Sequence, residues 1–176
     1  MIHPLKNLVL SAKNKNPDAF AELIHICKKD LYRIAKSILS NDEDVADAIQ
    51  ETILISYEQL SLLQYPEYFK TWLIRILINQ CNGLIRAGRR YVAIENIPDN
   101  GSFDTNQANV EFMMLMDSLD ERYRTVLVLY YSEGFSVKEI SEILDLTESA
   151  VKARLKRGRE KVKKIFDFKG VKCLIC

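Results

Sequence analysis

Apolar side chains recur at three- and four-residue intervals through most of the chain, and no stretch shows the strict alternation expected of a strand. Asn16 suits an N-cap with Pro17 at the first helical position. Phe20, Leu23, Ile24, Cys27, Leu31, Ile34, Ala35 and Ile38 then follow on one helical face. A second helix is expected after Asn41, with Asp42, Glu43 and Asp44 in its first turn, where acids suit the helix dipole. A third is expected from about Phe69 to Arg86. Between Arg90 and Glu111 the period fails and Pro, Gly, Asp, Asn and Ser accumulate. About twenty residues without a period are too many for a loop inside a compact unit, so this stretch reads as a linker. Helical spacing resumes near Phe112 and continues to about Phe166. The pattern predicts an all-α protein: a helical domain over 1–90, a flexible linker over 91–110, a smaller helical domain over 111–168 and a tail over 169–176.

The second domain carries a recognisable supersecondary unit. Ser136 and Glu139 form a capping box, so a helix starts there, with Ile140, Ile143 and Leu144 on its apolar face. Asp145 and Leu146 make a short turn, and Thr147 caps a further helix. Two short helices joined by a tight turn are a helix-turn-helix. From Glu148 to Lys164 the second helix holds eight Lys or Arg against two acids, in a chain whose net charge is only +1. Val151, Leu155, Gly158 and Val162 fall on one side of it. Ser149, Lys152, Ala153, Lys156, Arg157 and Glu160 lie opposite, with Arg154 and Arg159 on the flanks. A DNA major groove admits one α-helix, and Lys or Arg bonds to guanine edges there. Other cations neutralise phosphates and position the protein without reading sequence. A basic amphipathic helix alone would equally fit a solvated face or a membrane surface. The capped helix and turn in front of it favour DNA.

Two faces of the first domain are unusual. On the third helix, Phe69, Trp72, Leu73, Ile76, Leu77 and Leu84 form one apolar face, and Ile74, Ile78 and Ile85 another. Between them runs a polar stripe of Arg75, Asn79, Asn82 and Arg86, at spacings that keep one face. Asn is disfavoured inside helices because its amide competes for backbone hydrogen bonds. Aligned with two Arg, it suits bases and phosphates, although a solvated stripe fits the same spacing. Tyr65, Tyr68, Phe69 and Trp72 cluster just upstream; aromatics beside such a face hold unstacked bases, whereas Phe69 and Trp72 are expected in the core. The second helix poses the opposite problem. Val45, Ile49, Thr52, Ile53 and Ser56 are expected to face the core, leaving Asp44, Asp47, Gln50 and Glu51 outward with Leu54 among them. An acidic face repels phosphate, so this side is expected to meet something other than DNA.

Composition narrows the class. With 48% hydrophobic and 28% charged residues the chain is an ordinary globular one. Its longest apolar runs fall well short of the ~20 residues of a membrane span, and its start lacks a signal-peptide pattern. A soluble cytoplasmic protein is expected. His3 and His25 stand alone, and neither a nucleophile triad nor a phosphate-binding glycine loop is present. No catalytic residue, metal or cofactor is therefore expected. Cys27 and Cys81 fall in helical apolar patterns and are expected to be buried thiols. Cys173 and Cys176 lack the βαβ context of a redox pair and the further ligands of a zinc site, so they read as a reduced tail.

In order and spacing, these segments resemble a bacterial sigma factor of the extracytoplasmic function (ECF) group of the sigma-70 family. "AFAELIHICKKDLYRIAKSIL", "DEDVADAIQET" and "FKTWLIRILINQCNGLIRAGRR" are similar to the helices of that family's region 2. "LMDSLDERYRTVLVLYYSEGFSVKEISEILDLTESAVKARLKRGREKVKK" is similar to region 4. Within the group the chain is nearest the sigma-V type. The resemblance implies that Asp44, Asp47, Gln50, Glu51 and Leu54 bind the β′ clamp helices of core RNA polymerase, and that the β flap is a second contact. It implies that Tyr65, Tyr68, Lys70, Arg75, Asn79, Asn82 and Arg86 act on the promoter −10 element. Ser149, Lys152, Ala153, Arg154, Lys156 and Arg157 would meet the −35 element; Ala153 departs from the small hydroxyl residue common there. It further implies a membrane-associated anti-sigma factor that holds the protein, without direct membrane insertion.

Two other readings fit a helical protein with a basic helix. A stand-alone helix-turn-helix regulator would bind a twofold-symmetric duplex without polymerase. A membrane-surface or partner-binding helical module would not need Lys152 or Arg157. Neither gives the acidic helix or the Asn–Arg stripe any work.

Overall fold

Asparagine side chains start the first two long helices. In the computed structural model, which describes residues 4–91 and 118–169, Asn16 Oδ1 accepts the amides of Asp18 (3.0 Å) and Ala19 (3.2 Å), opening α2 (Pro17–Ile38). Asn41 Oδ1 accepts the Glu43 amide at 2.8 Å and opens α3 (Asp42–Gln59). These bonds satisfy amides that a helix start leaves unpaired. The turn between α2 and α3 is braced by Lys36, whose ammonium reaches the Ser40 carbonyl (3.2 Å) and Asp42 (2.7 Å). Two short 3₁₀ turns, Leu60–Leu62 and Pro66–Tyr68, then lead directly into α4 (Phe69–Tyr91).

An additional helix, α1 (Pro4–Lys13), precedes these and packs on α2 and on both 3₁₀ turns. It buries Val9 and Ala12 and half-buries Leu5 and Leu8. The sequence carried its signal: a proline at the first position and apolar residues at i, i+3, i+4 and i+7.

The chain divides into two units, Met1–Ile97 and Pro98–Cys176. In the first, α2, α3 and α4 pack on one another around Leu23, Leu31, Ile34, Val45, Phe69, Leu73, Ile74 and Leu77, all essentially without exposure. The inward stripe of α3 differs from the expected one. It is Val45, Ala48, Thr52 and Ser56, while Ile49 and Ile53 are half-buried at its margins. Small side chains bring α3 close to its neighbours. The Thr52 hydroxyl donates to the Ala48 carbonyl (2.6 Å) and that of Ser56 to the Ile53 carbonyl (2.9 Å), which removes the cost of burying them. Phe69 is fully buried as expected, whereas Trp72 is half-buried against it, with ring centroids 6.1 Å apart. Leu84 and Ile85 are likewise only half-buried.

Cys27 and Cys81 are both buried thiols, as expected. Burial, and secondarily the Asp30 carboxylate, push the Cys27 thiol from 9.0 up to about 11, with Lys70 pulling the other way. The native state thus keeps this proton over a range in which the unfolded chain loses it. The contribution of Cys27 to stability is therefore present below about pH 9 and declines as pH rises from 9 towards 11. Folded protein at pH 8 is expected to leave Cys27 unalkylated by iodoacetamide while denatured protein reacts fully. Peptide mapping by mass spectrometry checks this, and fast native alkylation would contradict it.

The second unit contains α5 (Glu121–Leu127), a π turn (Val128–Ser132), α6 (Val137–Leu144) and α7 (Glu148–Lys169). Gly134, at φ +72°, ends the π turn, with the Phe135 amide bonded back to the Leu129 carbonyl at 3.0 Å; this left-handed geometry favours glycine. The capping box forms as expected. Ser136 Oγ accepts the Glu139 amide (3.2 Å), and the Glu139 carboxylate accepts the Ser136 amide (2.8 Å). Asp145, left-handed at φ 53°, terminates α6. Thr147 Oγ1 accepts the Ala150 amide (3.2 Å) at the start of α7. Helix α7 packs on α5 and α6 through Val151, Leu155, Gly158 and Val162.

Among the described residues every regular element is helical, in agreement with the all-α expectation. The expected linker beyond Tyr91, the resumption of helix near Phe112, His3, and the tail with Cys173 and Cys176 lie outside those residues.

Candidate nucleic-acid and polymerase interfaces

The helix-turn-helix leaves the basic side of α7 free. With its apolar side against α5 and α6, Ser149, Lys152, Ala153, Lys156, Arg157, Arg159 and Glu160 are exposed, and Arg154 is half-buried on the flank. The Ser149 hydroxyl lies 3.0 Å from that of Thr147. Lys152 pairs with Glu148 one turn back at 3.6 Å, both well exposed; such a pair is worth little and yields readily to a phosphate. Arg159 leans instead on the hydroxyl of Tyr131 (3.4 Å). Lys161 lies beside Asp120 (3.6 Å) and over the Tyr123 ring. The cations at 152, 156 and 157 thus project from the first half of the helix, while 159 and 161 are engaged with the body of the unit.

On α4 both apolar faces are used. Leu73, Ile76 and Leu77 are buried on one and Ile74 and Ile78 on the other, because α2 and α3 both pack on this helix. The remaining edge is the polar stripe: Arg75, Asn79 and Arg86 are exposed and Asn82 is half-buried. Arg75 to Arg86 extends about 16 Å along the helix at 1.5 Å per residue. Tyr65 and Tyr68 stand at its N-terminal end, 58% and 56% exposed, with their rings edge to face at 6.2 Å. Exposed aromatic pairs of this kind offer stacking faces. Lys70 has a different environment from the rest of the set. It is half-buried, and its ammonium lies 2.8 Å from Asp30 of α2.

Helix α3 exposes the acidic face. Asp47, Gln50 and Glu51 are exposed, Asp44 is half-buried, and Leu54 is 60% exposed among them. Tyr57 one turn on, its ring edge to face with Phe20 of α2 at 5.0 Å, and Leu62 in the following turn are also exposed. Among the described residues no group of three or more His, Cys, Asp or Glu could hold a metal ion. No described helix is long and apolar enough to cross a membrane.

Two family models match the chain. One described as Sigma-70 region 2 covers residues 23–91, and one described as Sigma-70, region 4 covers residues 109–162. Helix α1 precedes the first of these. The chain is similar to the ECF RNA polymerase sigma factor SigW of Bacillus subtilis, at 28% identity over 91% of this chain and 95% of that one. It is also similar to SigV of the same organism, at the same 28% identity but over 74% of this chain and 81% of that one. The ECF sigma-E factor of Escherichia coli is 30% identical over 68% of this chain and 72% of its own. Among solved structures, CnrH in complex with the cytosolic domain of CnrY superposes with a TM-score of 0.69 at 27% identity, covering 93% and 97% of the two chains. RpoE of Bartonella quintana shares the fold, with a TM-score of 0.72 at 20% identity. Equal identity to SigW and SigV singles out neither subgroup. The helix-turn-helix with its free basic side, the helical first unit with its polar stripe, and the two family matches in the same order lead to one assignment: the chain belongs to the sigma-70 family, as an ECF-type alternative sigma factor for promoter-specific transcription by RNA polymerase.

Proposed function

We propose that this sigma factor works through three separate surfaces, over a region 2 domain at 1–90, a linker at 91–110, a region 4 domain at 111–168 and a tail at 169–176. Asp44, Asp47, Gln50, Glu51 and Leu54 of α3 dock on the β′ clamp helices of core polymerase, and the second unit meets the β flap. Tyr65, Tyr68, Arg75, Asn79, Asn82 and Arg86 capture the opened −10 element, with Lys70 at its edge. Ser149, Lys152, Ala153, Arg154, Lys156 and Arg157 read the −35 element in the major groove. The chain itself catalyses nothing; bond formation belongs to the polymerase.

The observation that carries this reading is the separation of charge within the first unit. Helix α3 turns acids and Leu54 to solvent, while α4 of the same bundle turns out Arg and Asn. A protein that only bound DNA would gain nothing from the acidic face, whose field opposes phosphate. A protein that must hold a basic partner surface while capturing DNA gains from both. The test combines the purified chain with core polymerase and a promoter library, followed by sequencing of transcript starts. Starts that share −35 and −10 elements and need both components support the proposal. Retarded duplex with the protein alone, and no specific starts, would favour a stand-alone regulator.

The Asn79→Ala variant is expected to bind core polymerase normally and to form open complexes about tenfold less well, on the scale of one lost polar contact to a base. Permanganate reactivity of unpaired thymines reads this directly. Melting equal to that of the unaltered protein would remove Asn79 from the −10 surface.

CnrH is held in its structure by the cytosolic domain of CnrY. By this likeness we assign the present chain to the cytoplasm, where an anti-sigma factor anchored at the membrane withholds it from polymerase.

A further inference from the structure

Helix α1 lies upstream of the region 2 match, yet it touches the segment proposed to hold the −10 bases. It packs on both 3₁₀ turns that flank residues 63–65. The Lys13 ammonium, at the end of α1 and partly buried, donates to the backbone carbonyl of Leu63. Leu63 is itself buried and closes the first turn, its amide bonded to the Leu60 carbonyl at 3.2 Å. Two residues later Tyr65 opens the second turn, its carbonyl accepting the Tyr68 amide at 3.1 Å. Near the other end of α1, Lys6 lies 3.8 Å from Glu67, between the two tyrosines in sequence. That pair is exposed and weak. Lys13 is the substantial tie, because its charge is directed at a main-chain carbonyl and a charge-assisted bond is stronger than a neutral one.

We infer that Lys13 is a positioning residue for promoter opening: from α1 it fixes the backbone at Leu63 and so holds the Tyr65–Tyr68 pair in place to receive unstacked bases. The inference rests on the proposed −10 role of those tyrosines. Buried Val9 and Ala12 anchor α1 to its neighbours, so the lysine works from a fixed base. Its reach is fifty residues along the chain. A loop held in its binding geometry beforehand loses less freedom on capture.

The test uses the full chain with core polymerase on a promoter recovered by selection with the unaltered protein, and on the same promoter with its −10 segment pre-opened. Lys13→Met keeps an unbranched side chain of similar length and removes the donor, whereas Lys13→Arg retains donors. Lys13→Met is expected to lower the melting temperature of the first unit by a few degrees, since one partly buried bond is lost, to match the parent in core binding, and to yield about tenfold fewer open complexes, the scale of one charge-assisted hydrogen bond. Pre-opening should leave part of this loss, because capture is still required, and Lys13→Arg should recover most of it. The Tyr65→Ala/Tyr68→Ala variant separates the two claims. If it melts the promoter as well as the parent, the −10 reading of the tyrosines fails. If it is impaired and Lys13→Met is not, the tyrosines keep their role and the positioning role is overturned. A Lys13→Met loss of core binding equal to its loss of open complexes would also overturn it, since that is the mark of general damage to the unit.

Discussion

Replacing Lys152 and Arg157 together by alanine is expected to lower transcription from a −35-dependent promoter about a hundredfold while leaving affinity for core polymerase unchanged. Both side chains are exposed on the free side of α7, and neither helps to pack the unit. A well-formed contact from Lys or Arg to a base pair is worth about 1–3 kcal/mol, so two lost at about 1.4 kcal/mol each give two decades. Lys152 must first leave Glu148, 3.6 Å away, but an exposed pair offers little resistance. Single variants divide the work. A cation that meets phosphate reduces the salt slope of binding by about one and weakens all sequences alike, whereas one that meets a base relaxes selectivity at a single position. Start-site sequencing over a promoter library distinguishes these cases. Unaltered selectivity and yield in the double variant would refute the −35 role of α7.

Gly158→Leu is expected to destabilise the second unit strongly and to lower −35-dependent transcription with it. At this position α7 lies so close to α5 that a Cβ would stand 3.1 Å from Leu127 Cδ1 and 3.2 Å from its Cγ. For alanine, Leu127 must give by a few tenths of an ångström, and the cost is offset by about 1 kcal/mol of helix propensity gained over glycine. Gly158→Ala is therefore expected to be near neutral. Leucine adds a branched group where Leu127 already sits, and overpacking of this kind costs about 1–3 kcal/mol or more. A unit this small has little stability in reserve. Circular dichroism melting should show the transition of the second unit moving down by more than about 10 °C in Gly158→Leu. Core binding through α3 should survive. A leucine variant that melts with the parent would mean that α7 can slide away from α5.

The helices that begin with their own caps were legible from the chain alone. Asn16, Asn41, Ser136 and Thr147 each bond to amides within three residues, and an interaction that local leaves a local signature. The free basic side of α7 and the stripe on α4 were legible for a related reason. A helix's period turns sequence spacing into a face, and the apolar residues show which face is taken. The inward stripe of α3 was legible only in part. Val45, Thr52 and Ser56 face the core as expected, the two hydroxyls satisfied within their own helix, but hydrophobicity favours Ile49 and Ile53 where packing selected Ala48. Helix α1 carried a readable pattern, yet its purpose depends on a lysine meeting a carbonyl fifty residues away. The Asp30–Lys70 pair and the approach of Gly158 to Leu127 are of the same kind. Most helical segments, and the polar sides of α4 and α7, could be read from the chain because they follow from neighbours three and four residues apart. Which cations are free to meet nucleic acid and which are held could not, because that depends on partners brought together by packing from distant parts of the chain.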